Sequence, residues 1–336
     1  MTKVSAAICY LTQNNEIRKT YLKTSLYFLF KNFNAKYRHP VIIFHEGDFD
    51  SSSQQEIIMG IRNSCRDLVS FQALDKNDFV VPEHIDKTKL NRCLEIEPKP
   101  TPYWRNEKYR LMCRWWLMHF PKYVKDYEYV MRLDDDSIIE EPIKKDLFEW
   151  AKEKDLNYSS NIIHVDCGIC CYGMKEFFDN EFPDKRDNIK EMFTEQQIPL
   201  RHVSFHPLRT LLSITQNPLP ELSDKMTVYM PTMYYNNFFI TRTKFWDRED
   251  VKQILKKIDD NGSIFYFRWG DAPLQTIIVM LLSEPEKIYK SNFEYSKRLQ
   301  REVFIGDNKQ YYSYMPDSYD NTSCITQKKM IKTNLG

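Results

Sequence analysis

A chain of 336 residues is long enough for one large domain or two modest ones and can bury a sizeable core. Its 48 basic and 47 acidic residues nearly cancel, which excludes a nucleic-acid binder held by a broad basic face. No apolar run approaches the roughly 20 residues of a membrane-spanning helix, and eight cysteines at this length do not make a disulfide scaffold.

The opening run VSAAICYL (4–11) reads as a strand. The segment after it carries Ile17, Tyr21, Leu22, Leu26, Leu29 and Phe30 at helical spacing, and HPVIIFHEG (39–47) reads as a second strand. Strand, helix, strand is a βαβ unit, so a mostly parallel sheet is expected. A helix over 52–64, opened by capping serines, and a strand over 68–74 continue the alternation. Residues 76–106, polar and proline-bearing, are expected to form a long loop over the active face. EKYRLMCRWWLMHFPKY (107–123) predicts an apolar helix with Arg110 and Arg114 four apart on one face. They read either as surface charges or as cations enclosed by Tyr109, Trp115 and Trp116.

YEYVMRL (127–133) then reads as a buried strand, and Asp134, Asp135 and Asp136 follow it directly. The later pattern predicts a helix over 140–155, strands over 161–172 and 235–240, and helices over 247–259 and 271–283. The cluster CGICC holds Cys167, Cys170 and Cys171. A zinc site would need a second cysteine pair that is missing, so a buried strand is the simpler account. One domain over 1–325 with a basic, flexible tail over 326–336 is expected.

Carboxylates at the C-terminal end of a strand in an open α/β sheet lie where such folds bind ligands. Asp134 and Asp136, two apart in extended chain, face one side and can share a hard cation, with Asp135 turned elsewhere. Three adjacent negative charges repel unless a cation relieves them, and a divalent ion that does so can also hold a diphosphate. The same pattern also serves calcium sites, phosphohydrolases and solvated turns. No G-x-x-x-x-G-K-[ST], G-x-G-x-x-G or H-E-x-x-H is present, so P-loop, dinucleotide-binding and zinc-protease readings have no residues to stand on.

Four segments resemble a known family, in order and at compatible spacing. KYRLMCRWW (108–116), YEYVMRLDDDS (127–137), NNFFITRTKFW (236–246) and IDDNGSIFYFRWGDAPLQTI (258–277) are similar to segments of the fungal α-1,2-mannosyltransferases, glycosyltransferase family 15. The family's counterparts are Y-R-x-M-C-R-F, Y-x-Y-x-W-R-V-E-P, S-N-F-E-I and G-F-Y-x-E-R-W-G-D-A-P-V-H-S-I. The resemblance implies a GT-A-type nucleotide-diphospho-sugar transferase fold and transfer with retention of anomeric configuration. It also implies GDP-mannose as donor, Mn²⁺ or Mg²⁺ as cofactor and a glycan or glycoprotein acceptor.

Carried over by position, Asp134 falls on the family's metal-binding Glu, and Asp134 with Asp136 become the implied metal ligands. Arg132 matches the family's Arg and either neutralises phosphate or makes a structural ion pair with an aspartate. Asp271 reads as a helix N-cap, or as a group that binds or deprotonates the acceptor hydroxyl; Trp269 is a sugar platform or a core residue. Arg110, Arg114, Tyr235, Asn237, Arg268 and Trp269 are the implied donor and acceptor contacts. Two departures stand out. Phe239 replaces the family's Glu of S-N-F-E-I, which favours a front-face route without a protein nucleophile, and Lys297 or Arg298 stands where the family has a metal-binding His. The family's domain follows a membrane anchor, so the chain as written predicts a cytoplasmic enzyme, or a Golgi-lumen one if it is a truncated form.

Overall fold

The computed structural model describes residues 3–202, 204–219 and 225–297, and the backbone of the strands Arg301–Ile305 and Asn308–Tyr312. The expected tail over 326–336 lies outside the described residues.

The alternation seen in the sequence builds the sheet. Strands β1 (Ala6–Leu11), β2 (Val41–His45), β3 (Val69–Ala73) and β4 (Tyr129–Leu133) are all parallel, with β4 and β2 flanking β1. A short strand β5 (Ser137–Ile139) leaves this sheet just after the acidic trio. Then follow β6 (Tyr158–Ser160), β7 (Ile163–Val165), β8 (Phe193–Pro199), β9 (Lys225–Tyr234), β10 (Phe238–Arg242), β11 (Ile288–Lys290) and β12 (Tyr295–Lys297). The main sheet has seven strands in the order β3-β2-β1-β4-β10-β6-β11, with β10 antiparallel to both neighbours. Strands β7, β9 and β8 form a separate antiparallel sheet, and β5 pairs with β12.

Helices cover both faces, which is why the central strands read as continuous apolar runs instead of alternating ones. Ala6, Ile8 and Tyr10 of β1 enter one core with the helix Glu16–Leu29. Ala7 and Cys9 enter the other, with the helices Glu107–Arg114, Glu249–Asn261 and Asp271–Leu282. Asn15 caps the helix Glu16–Leu29 by accepting from the Arg18 N–H at 3.0 Å, so the helix starts where the C-terminal end of β1 meets the trio.

Several elements differ from the sequence expectation. The segment 76–106 contains a helix, Lys87–Leu94, capped by Asp86; only Leu90 and Cys93 of it are buried, too few for the apolar period to show. The helix expected over 140–155 is confined to Leu147–Glu153, where Asp146 supplies the cap by accepting from the Phe148 N–H at 3.0 Å. The strand expected over 161–172 is only Ile163–Val165, and CGICC forms a turn, not a buried strand. A Cβ on Gly168 would sit 2.8 Å from Val228, so only glycine lets that turn close on β9. Asp50, not a serine, caps the helix Ser51–Met59. No helix among the described residues is long and apolar enough to cross a membrane.

Candidate active site

The trio sits at the C-terminal end of β4, beside the end of β1, where a doubly wound sheet opens its ligand crevice. Its backbone is tied to β10: the Asp134 N–H donates to the Asn237 carbonyl at 2.9 Å, and Ser137 N–H donates back to Asp134 O at 3.0 Å. The turn sends the three side chains apart. Asp135 points toward β1 and is fully buried, accepting from Thr12 Oγ1 at 2.7 Å and from Arg18 Nε at 2.7 Å. Burial pushes its carboxyl up, with Arg18 pulling the other way. The chain is not extended there but turns at Asp135–Asp136, and Asp134 and Asp136 both meet Lys297, at 3.2 and 3.6 Å.

Arg132 is the hub. Its guanidinium donates to Asp134 at 2.9–3.0 Å and to Asp271 Oδ2 at 2.6 Å, and lies 4.1 Å from the centroid of the Trp116 ring. It is therefore the ion-pair alternative that the structure realises, doubled, since one arginine holds two carboxylates. Burial opposes its charge, but Asp134 and Asp271 raise its pKa above the ordinary arginine value. The same partners act on Asp134: burial pushes the carboxyl up, and Arg132 with Lys297 more than offset it, holding it well below the usual range.

Asp271 is not the helix cap. The helix begins at Asp271 itself, after Gly270 in extended conformation and with no side-chain cap. The carboxylate is instead held by Arg132 and by Asn236 Nδ2 at 2.8 Å. Asn237, next in sequence, is 2% exposed, and neither end of its side-chain amide has a hydrogen-bond partner among the described residues. Lys297 Nζ lies over the Tyr235 ring, 5.3 Å from its centroid.

The other expected contacts are dispersed. Arg110 and Arg114 part company: Arg114 makes a two-pronged pair with Asp259 at 2.7 and 2.9 Å, on the far helix Glu249–Asn261. Arg110 is fully buried, 4.6 Å from the centroid of the Trp104 ring, and none of its nitrogens has a hydrogen-bond partner among the described residues; burial pushes its pKa down to about 10. Arg268 adopts φ of 69°, a left-handed conformation costly for a side-chain-bearing residue, and pairs with Asp166 at 2.8 Å. Trp269 is 1% exposed and its indole N–H donates to the Tyr172 carbonyl at 2.9 Å, so the core alternative holds and it offers no face to a sugar.

Phe239 pairs in register with Arg132 across β4–β10, stacks on Tyr158 at 5.3 Å and meets the Trp116 edge at 6.4 Å. The position the family gives to a carboxylate is here part of an aromatic wall. Sequence reasoning missed Thr12, Arg18 and Asn236, which reach the carboxylates from other elements. The Asn15 cap is the one sequence signal that could have placed Arg18 on the first turn beside β1.

A divalent ion requires several oxygen ligands around it. Among the described residues no group of three or more His, Cys, Asp or Glu converges for that purpose. The expected ligands Asp134 and Asp136 instead enclose the Lys297 ammonium, a donor set that does not fit a metal; Arg298 lies outside the described residues.

The sequence profile of the glycolipid 2-alpha-mannosyltransferase family matches residues 1–305. The chain belongs to this family. Similar proteins include O-glycoside alpha-1,2-mannosyltransferase omh1 of Schizosaccharomyces pombe, 25% identical, the match covering 86% of this chain and 68% of that protein. Glycolipid 2-alpha-mannosyltransferase 1 of Candida albicans is 24% identical, with 85% of this chain and 61% of that protein covered. The chain thus spans 61–68% of the length of these two relatives. The mannosyltransferase Ktr4p from S. cerevisiae, solved in complex with GDP, superposes with a TM-score of 0.72 at 18% identity, covering 99% of this chain and 83% of that one. Core-mannan synthase A from Aspergillus fumigatus, in a Mn/GDP form, gives 0.71 at 17% identity, covering 98% and 85%. At such identities the likeness is one of fold, and the fold is the GT-A type.

Proposed function

We propose that this family member transfers mannose from GDP-mannose to a hydroxyl of a glycan or glycoprotein, as an α-1,2-mannosyltransferase acting with retention. The observation that carries the reading is the family match over residues 1–305; the ion-paired cluster of Arg132, Asp134 and Asp271 at the strand ends supports it. The GDP in the Ktr4p complex supports the nucleotide.

The chemistry follows from what the chain presents. With Phe239 in the aromatic wall, no carboxylate stands there to attack the sugar, so a covalent glycosyl-enzyme has no support from that position. In the front-face route the bond from the sugar C1 to the phosphate oxygen breaks and the electron pair stays on phosphate. The acceptor oxygen bonds to C1 from the same face and its proton passes to that phosphate oxygen. Arg132 and Asn236 hold Asp271 fixed beside the strand ends, and the same Arg132 guanidinium ties it to Asp134, so the polar side of the crevice is set before substrate arrives.

The test is nucleoside diphosphate release from a panel of nucleotide sugars with α-methyl mannoside as acceptor, using Asp134→Asn/Asp136→Asn as control. Release from GDP-mannose that disappears in the control supports the reading; release from another donor alone replaces the mannose assignment. Phe239 also favours a second reading, a glycan-binding relative without turnover, which predicts binding with no release from any donor.

A further inference from the structure

Strand β12 runs antiparallel to β5 with Lys297 in register opposite Ser137, which brings the lysine back over the trio from 163 residues further along the chain. Its Nζ faces Asp134 Oδ2 at 3.2 Å and Asp136 Oδ1 at 3.6 Å, and 15% of the side chain remains exposed. Arg132 takes the other oxygen of Asp134, and Arg18 takes Asp135. Each of the three aspartates therefore has a protein cation against it. The repulsion that would otherwise draw in a divalent ion is relieved by side chains from three separate elements.

We propose that Lys297 carries the leaving diphosphate in place of a divalent metal. An ammonium has three N–H donors, so it can face two carboxylates and a phosphate oxygen at once. Asp134 and Asp136 then do for the lysine what ligands do for an ion: they fix its position, and lysine serves phosphate well as a compact point charge. The exposed edge of the side chain is where phosphate reaches it, and the Tyr235 ring beneath limits where the ammonium can swing.

The inference rests on the nucleotide-sugar reading above, and one experiment separates the two. GDP binding is titrated calorimetrically to the full chain, in EDTA and in Mn²⁺, for the wild type, Lys297→Ala, Lys297→Arg and Lys297→His, with melting curves to confirm that each is folded. The expected result is GDP binding in EDTA that Mn²⁺ hardly changes. Lys297→Ala should weaken it roughly tenfold or more, as for loss of a charge-assisted hydrogen bond; Lys297→Arg should recover much of it, and Lys297→His should bind only with Mn²⁺. Wild-type binding that requires Mn²⁺, with Lys297→Ala binding as tightly or tighter, would overturn the inference while leaving the nucleotide reading intact. Absence of GDP and UDP binding in either buffer would overturn both.

Discussion

Arg132 Nη1 lies 2.6 Å from Asp271 Oδ2, joining residues 139 positions apart and locking the end of β4 to the start of the helix Asp271–Leu282. The pair is almost wholly shielded from water, with 3% and 4% of the two side chains exposed. Removing the guanidinium strands the buried Asp271 carboxylate and leaves the part-exposed Asp134 to Lys297, so Arg132→Met should cost about 3–5 kcal/mol of stability. Adding Asp271→Asn should return part of that loss instead of adding to it, which a double-mutant cycle in urea will show.

Asp134 gives the fold an acid limit. Its folded pKa is depressed below the ordinary 3.8, so its ion pairs stabilise the protein above that value, and their contribution fades as pH falls through the folded pKa. Urea midpoints measured from pH 7 down to pH 3 should fall at the acid end for the wild type. Asp134→Asn should start from a lower midpoint at pH 7 and show a shallower acid decline; equal slopes would contradict the assignment.

Phe239 supplies packing, not chemistry. Phe239→Leu keeps an apolar group between Tyr158 and Trp116 and should leave diphosphate release within a few-fold of the wild type, at a stability cost of about 1–2 kcal/mol. A complete loss of release in a variant that remains folded would show that the ring takes part in the reaction.

Arg110 is a buried cation stacked on Trp104 with no hydrogen-bond partner among the described residues. Arg110→Met should therefore match or exceed the wild type in thermal stability, because an apolar chain of similar length removes an uncompensated charge. A fall in nucleotide or acceptor binding without a fall in melting temperature would identify the ligand that normally meets this charge.

Among the described cysteines, Cys167 stands apart. A hydrogen bond from Cys170 outweighs burial and, with the Cys170 N–H and Thr101, brings its thiol down to about 6, whereas burial pushes Cys9, Cys93, Cys113, Cys170 and Cys171 up. Iodoacetamide at pH 7 should label Cys167 first, with a rate that rises through about pH 6 and then levels. Peptide mapping after short pulses reads this directly.

The helices of the sheet's two flanks were legible where a long apolar period ran through them, as over Glu16–Leu29 and Glu249–Asn261. The helix Lys87–Leu94 was not, because it buries two side chains and presents the rest to water. CGICC looks like a strand to any reading based on hydrophobicity alone. It is a turn because it closes against β9, a partner whose position no local pattern reports.

The sequence alone determined the parallel core: runs buried on both faces, separated by helices, leave little choice of fold class, and it set the acidic trio directly after β4. The R-W-G-D-A-P and Y-R-x-M-C-R-like segments suggested the family that the profile match over residues 1–305 shows. Only the tertiary structure decided what the carboxylates face. Arg18, Arg132, Lys297 and Asp271 come from four elements, and whether their charges meet depends on strand order and on the register of β5 with β12. Local propensity acts over a few residues, while an ion pair is settled by a few ångströms in space, so the cation that balances the trio could be read only after the chain was folded.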